Sequence, residues 1–214
     1  MSRRCVGLSP RATPGLRPDA EMDPTERARL RIAEVIAGSS IPEDPRHSSN
    51  TLEWLLRLDP DADMALQLAA LGHDIDRAVS GRKVRRVDFD DYADFKAAHA
   101  CNGAAILREI MGECGVREES LTREVYRLVC RHEVGGDPRA DLLVDADSLS
   151  YFDVNLPLYS ARNSRNETLR RCFWGYDRLS PRARSIVAQL HQPTVELETL
   201  MAEVTSRTAA RANV

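Results

Sequence analysis

The chain has 214 residues, a length that fits one domain of ordinary size, with 43% hydrophobic and 29% charged residues, as expected of a soluble globular protein. A net charge of −3 excludes a broad basic surface for a nucleic-acid polymer. No apolar run approaches the ~18 residues that a membrane helix needs.

Five cysteines, odd in number and without C-x-x-C spacing, argue against a disulfide framework or cysteine-bound zinc. The N-terminus lacks the apolar core of a secretory signal, so a cytoplasmic protein with reduced thiols is expected. Residues 1–21, rich in Arg, Pro, Ser and Gly, are expected to be disordered. Met22 is read as the natural start of the folded protein, with one domain over residues 22–206 and a fraying tail over 207–214.

Asp23-Pro24-Thr25-Glu26 predicts a helix entrance, with Asp23 as cap and Pro24 at the first helical position. Leu30, Ile32, Val35 and Ile36 supply its apolar stripe. Ile41 to His47, with two prolines, predicts an extended loop that delivers His47 to a helix over Ser48–Leu58. A central helix follows, in which Met64, Leu66, Leu68, Leu71 and Ile75 recur at helical spacing. His73 and Asp74 lie side by side in this apolar run, where charged groups are rare unless paired or bound to a metal. The basic loop Ser80–Arg86 is solvated surface or a phosphate contact. A long helix is predicted over Phe89–Met111, carrying His99, with Lys96 one turn before and Gly103 one turn after. A glycine there costs about 1 kcal/mol against alanine, which suggests close packing near a site. The next helix, Glu118–Glu133, ends in Arg131-His132-Glu133. Asp137-Pro138 starts another that carries Asp145 and Asp147. Arg162, Arg165, Arg170 and Arg171, with Tyr159, Phe173, Trp174 and Tyr176, suggest a helix and loop bordering a pocket. A short helix over Pro181–Leu190 and an amphipathic one over Thr194–Arg211 complete the chain, and no convincing strand is found.

Four of the five histidines, His47, His73, His99 and His132, fall on different predicted helices or their ends, and Asp147 follows. A bundle of antiparallel helices can bring one position from each helix to a shared centre. Imidazole nitrogen and carboxylate oxygen together suit zinc, iron, manganese and related divalent ions.

The order His…His-Asp…His…His…Asp resembles the HD superfamily of metal-dependent phosphohydrolases over roughly Pro45 to Phe152. The matching pieces are His73-Asp74, His99-x-x-x-Gly103, Arg131-His132-Glu133 and Ala146-Asp147-x-Leu149. The resemblance implies an all-α, HD-domain-like helical bundle with a central metal site. It implies His47, His73, Asp74 and Asp147 as ligands of a first ion, and Asp74 as the bridge to a second held by His99 and His132. The metal could be Fe, Mn, Zn, Ni or Mg, with two ions favoured because both extra histidines are present. A metal-bound water turned hydroxide would then hydrolyse a nucleotide or another small phosphorylated metabolite. Asp74, Arg77 and Lys96 are the candidate catalytic residues, and Arg77, Lys96 and Arg131 the candidate phosphate contacts. Asp145 points roughly 200° from Asp147 on a helix and is expected to cap, to support a ligand from behind, or to meet solvent.

Two departures narrow the resemblance. The Gly-Tyr-Pro signature of the HD-GYP phosphodiesterases is absent. Asp76 and Arg77 stand where glycine and lysine are usual after His-Asp-Ile. The same ligand set is also that of the family's di-iron oxygenases, and a non-catalytic metal-binding module is a third alternative. The expected partner is a small phosphorylated substrate, with no membrane or nucleic-acid polymer. The apolar face of the last helix packs on its own core or on a second subunit as a homodimer.

Overall fold

A computed structural model describes residues 22–212, with side chains described to residue 206. The segment 1–21 expected to be disordered lies outside the described residues. So do the last two residues of the tail 207–214, together with the side chains from 207 onward. Within the described part the protein is all-α: α1 Pro24–Ala37, α2 Asp44–Leu58, α3 Met64–Gly72, α4 Tyr92–Glu113, α5 Glu119–Arg131, α6 Pro138–Ser150, α7 Leu156–Arg162, α8 Arg165–Asp177, α9 Pro181–Val187 and α10 Val195–Ala212. No described helix is long and apolar enough to cross a membrane.

Helices α2, α3, α4, α5 and α6 form the body of the bundle. Their shared core includes Leu55, Leu68, Leu107, Met111, Leu128, Leu143 and Leu149, all fully buried or nearly so. Helix α1 covers α2, α3 and α4, and α8 packs on α10 at the other side. The caps follow the sequence. Asp23 accepts from the amides of Thr25 and Glu26, Asp91 from Ala93 and Asp94, and Asp137 from Arg139 and Ala140. Asp145 accepts from the Ser180 amide at 2.8 Å and the Ser180 hydroxyl at 2.5 Å, so it anchors the residue that caps α9.

The structure corrects the local reading at two places that matter for the site. Helix α2 begins at Asp44 rather than Ser48, because Pro45 sits in the first turn, where a missing N–H costs nothing. His47 is therefore already helical. The central helix, expected to run on through Ile75, stops at Gly72. A short tight turn over Ile75–Ala78 follows, and His73-Asp74 occupy the break. Helix α5 likewise stops at Arg131, so that His132 is the first residue past its end. Gly135 and Gly136, at φ 66° and 105°, then reverse the chain toward α6, a conformation that favours glycine.

Candidate metal centre

His73 and His132 occupy equivalent local positions, each one residue beyond a helix end. Helix ends leave carbonyls without partners. His73 Nδ1 donates to the Ala70 carbonyl at 2.9 Å, and His132 Nδ1 donates to the Val129 carbonyl at 2.7 Å. A carbonyl can only accept, so both Nδ1 atoms carry a proton, and in the neutral rings it is Nε2 that keeps a lone pair. His47 is fixed in the same sense. The Ser150 hydroxyl donates to the His47 carbonyl at 3.1 Å and accepts from His47 Nδ1 at 2.8 Å. The fourth ring, His99, directs Nδ1 to the fully buried Asp76 at 2.8 Å and Nε2 to Asp74 Oδ1 at 2.9 Å.

The Nε2 atoms converge on carboxylates in two groups. His47 and His73 Nε2 lie 3.2 Å apart, and Asp147 Oδ1 is 3.2 Å from the first and 3.5 Å from the second. Asp74 Oδ2 stands 3.5 Å from His73 and 3.7 Å from His47. On its other side, Asp74 Oδ1 faces His99 at 2.9 Å and His132 at 4.0 Å. Glu133 Oε1 completes the second group, 3.2 Å from His132 Nε2. Ligand atoms of His47, His73 and Asp147 thus form one cluster able to hold a metal ion, and those of Asp74, His99, His132 and Glu133 a second. Asp74 lies between them, with one oxygen toward each.

This donor set fits a cation better than it fits itself. Two lone pairs 3.2 Å apart at His47 and His73 repel unless a proton or metal lies between them. His132 Nε2 is fully buried and makes no hydrogen bond among the described residues, although carboxylate oxygens of Asp74 and Glu133 lie within 4.0 Å. The C-terminal ends of α3 and α5 also point their negative dipole ends at the centre, which favours positive charge there. Without a metal, the histidines and nearby cations must satisfy the acids. Burial would lower His73, but Asp74 and Asp147 outweigh it and push it up to about 10. His99 is also raised, with Asp74 and Asp76 overcoming burial. Burial would raise Asp74 and Asp147. Arg77 and His73 hold Asp74, and His47 and His73 hold Asp147, well below the usual carboxylate range.

Of the expected phosphate contacts, two reach the site and one does not. Arg77 bonds Asp74 Oδ2 at 2.8 Å and Asp44 Oδ1 at 3.3 Å. Lys96 is buried and paired with Glu133. Arg131, by contrast, is turned outward on the last turn of α5, toward Asp137 at 3.7 Å and the Gly135 carbonyl at 3.4 Å. It follows that Arg131 does not line the site, because its neighbour His132 is the residue that faces inward. Cys101, two residues past buried His99, faces the other side of α4 and is exposed.

Sequence reasoning missed three residues and gave a fourth, Arg171, only a place on a pocket border. Glu133 was part of a quoted corner but had no role, since adjacent residues on an unbroken helix face different ways. Asp76, which supports His99 from behind and also binds Asn102 and the Val84 amide at 3.3 Å, stood out only as a departure. Arg178, the residue that caps the C-terminal end of α8, reaches Glu133 at 3.4 Å and Asp147 at 3.5 Å. Arg171, also on α8, lies over the rings of Trp174 at 4.4 Å and Tyr151 at 5.1 Å, with no carboxylate partner among the described residues.

Two adjoining cavities open above the centre. The inner one, about 310 Å³, is lined by His47, Asp74, Glu133 and Asp147. The outer one, about 780 Å³, is lined by Tyr92, Phe95, His99 and Trp174 together with Lys83 and Arg170. Arg77, Lys96, Tyr159 and Arg171 line both. The α7–α8 segment therefore does border a pocket. Of the basic loop after the central helix, Arg82 pairs with Glu109, Arg85 with Asp88 and Arg86 with the Phe89 carbonyl, while Lys83 lines the outer cavity.

Residues 20–201 match the family model described as Domain of unknown function (DUF4202), and the chain belongs to that family. No curated protein and no solved structure matches the chain.

Proposed function

We propose that this protein is a metal-dependent phosphohydrolase of the HD type, acting on a nucleotide or another small phosphorylated metabolite. The observation that carries the reading is the convergence of four imidazole Nε2 atoms on the carboxylates of Asp74, Glu133 and Asp147 beneath a cavity lined by Arg77, Lys96 and Arg171. Ions held there would supply Lewis acidity toward a phosphoryl oxygen and would lower the pKa of water. His47, His73 and Asp147 would hold one ion, His99, His132 and Glu133 the other, and Asp74 both.

The remaining chemistry belongs to the chain. Arg77 and Arg171, where the two cavities meet, are placed to take non-bridging phosphoryl oxygens. Lys96 offers an ammonium group to the departing oxygen while its pairing with Glu133 holds it in position. In the net reaction water oxygen bonds to phosphorus, the ester P–O bond breaks, and the leaving oxygen gains a proton. The aromatic lining from Tyr92, Phe95 and Trp174 gives the organic part of the substrate an apolar wall.

The test is a panel of phosphate monoesters and nucleotides, assayed for released phosphate with Mn²⁺, Ni²⁺, Zn²⁺, Fe²⁺ and Mg²⁺ in turn. A His73→Ala, Asp74→Ala protein is run beside the wild type. Metal-dependent release that the double variant loses supports the reading. Iron-dependent oxygen uptake without phosphate release would instead establish an oxygenase on the same ligands. Tight metal binding with neither activity would leave a binding module.

A further inference from the structure

A separate cavity lies at the far end of the α4–α5 pair. The loop between these helices is held rigidly. Gly115 adopts φ 86°, its amide bonds the Gly112 carbonyl at 3.0 Å, and the Val116 amide bonds the Met111 carbonyl at 3.0 Å. Beside it is a cavity of about 460 Å³, walled by Val116, Thr122 and Tyr126 and rimmed by Arg108, Arg117 and Arg123. Gly112 opens its floor, since a Cβ there would meet nothing within 4 Å.

The three arginines are unlike most others on this surface. Arg29, Arg82, Arg127, Arg139 and Arg162 each bond a carboxylate. Arg108, Arg117 and Arg123 form no ion pair and no hydrogen bond with any described residue, and Arg108 lies over the Tyr126 ring at 5.0 Å. Glu119 is the one acid in the lining. The start of α5 beside them has no side-chain cap, so its amides add to the positive field. Three arginines lining one concavity suit a multiply charged anion, and each fork matches phosphate oxygens. The apolar floor and the Tyr126 ring suit a flat organic group attached to it.

We propose that this cavity binds a small phosphorylated ligand bearing a planar ring, of the nucleoside phosphate class, independently of the metal centre. Helices α4 and α5 also supply His99 and His132, so the ligand would bridge the two helices that hold half of that centre. The proposal does not depend on the reaction carried out there.

ADP and inorganic pyrophosphate serve as probes, titrated calorimetrically into the full chain in EDTA, with hydrogen exchange followed over residues 108–126. ADP should bind, more tightly than pyrophosphate, and slow exchange in that segment. Arg117→Ala with Arg123→Ala, both exposed and outside the core, should weaken ADP roughly 100-fold, given the worth of charged hydrogen bonds. The same protein should keep its metal affinity and its phosphate release rate. Absence of binding would overturn the proposal. So would binding that the double variant leaves unchanged, or protection confined to residues 74–99.

Discussion

Replacing Asp76 by Asn tests whether the second half of the centre is built from behind. Asp76 is fully buried and touches no proposed ion; it accepts from His99 Nδ1 at 2.8 Å, from Asn102, and from the Val84 amide at 3.3 Å. Asn keeps the shape and one acceptor oxygen but loses the charge that sets the His99 ring and its basicity. Loss of such a supporting group typically lowers metal affinity ~10–100-fold, equivalent to about 1.4–2.8 kcal/mol. The other cluster, His47, His73 and Asp147, has no contact with Asp76, so its affinity should stay within about twofold. Equilibrium dialysis with Mn²⁺, read by elemental analysis, should therefore resolve one site near wild-type strength and one weakened by that factor. A thermal melt of the metal-free protein controls for misfolding. Equal losses at both sites, or no loss at either, would refute the assignment of Asp76 to His99 alone.

Gly103→Ala places a Cβ 3.3 Å from the His73 carbonyl oxygen, a backbone atom that cannot rotate away. The helix-propensity gain of about 1 kcal/mol should be cancelled, and metal affinity should fall as His73 shifts; a denaturant midpoint raised by the full gain with unchanged affinity would contradict this. Lys96→Ala should lower kcat at least ~100-fold, whereas Arg131→Ala should stay within about twofold, measured on whichever phosphoester the panel identifies. Saturating metal, at about 1,000 times its Kd, should stabilise the fold by about 4 kcal/mol and raise Tm by roughly 8–16 °C, an increase that EDTA abolishes in a melting scan. His73 is held protonated up to about 10 in the metal-free protein, so binding must expel that proton. Affinity should rise by about tenfold per pH unit between pH 6 and 8 in a metal titration, and a flat profile would show that no proton leaves.

The ligands were legible because their residue types are costly in apolar helices. His73-Asp74 within Leu71 and Ile75, and Asp147 between Ala146 and Leu149, mark themselves by needing partners. What could not be read was where helices stop. The break after Gly72 comes from a ring-to-carbonyl bond at His73 that replaces continuing helical geometry, and a periodic run of apolar residues does not announce it. The same device at His132 swings Glu133 into the centre and leaves Arg131 outside. Arg171 lies on α8 and Arg178 just past its end; the mixed polar pattern there gave a helix and a pocket border but no direction for individual side chains.

On the proposed reading, charge sets what each metal ion would do at this centre. The buried acids around it are Asp44, Asp74, Asp76, Glu133 and Asp147, and the cations that face them are Arg77, Lys96 and Arg178. With neutral imidazoles this leaves two negative charges in surplus, which accounts for the raised His73 and His99. One divalent ion would bring the cluster to neutrality. A second would leave two positive charges facing the inner cavity, the charge that a phosphate monoester dianion brings with it. On the proposed reading, metal loading turns an acid-rich centre into an anion trap, and inorganic phosphate should bind to the two-ion protein far better than to the one-ion or metal-free form. A phosphate affinity that does not change with metal occupancy would break the link between the ligand set and the phosphoester chemistry.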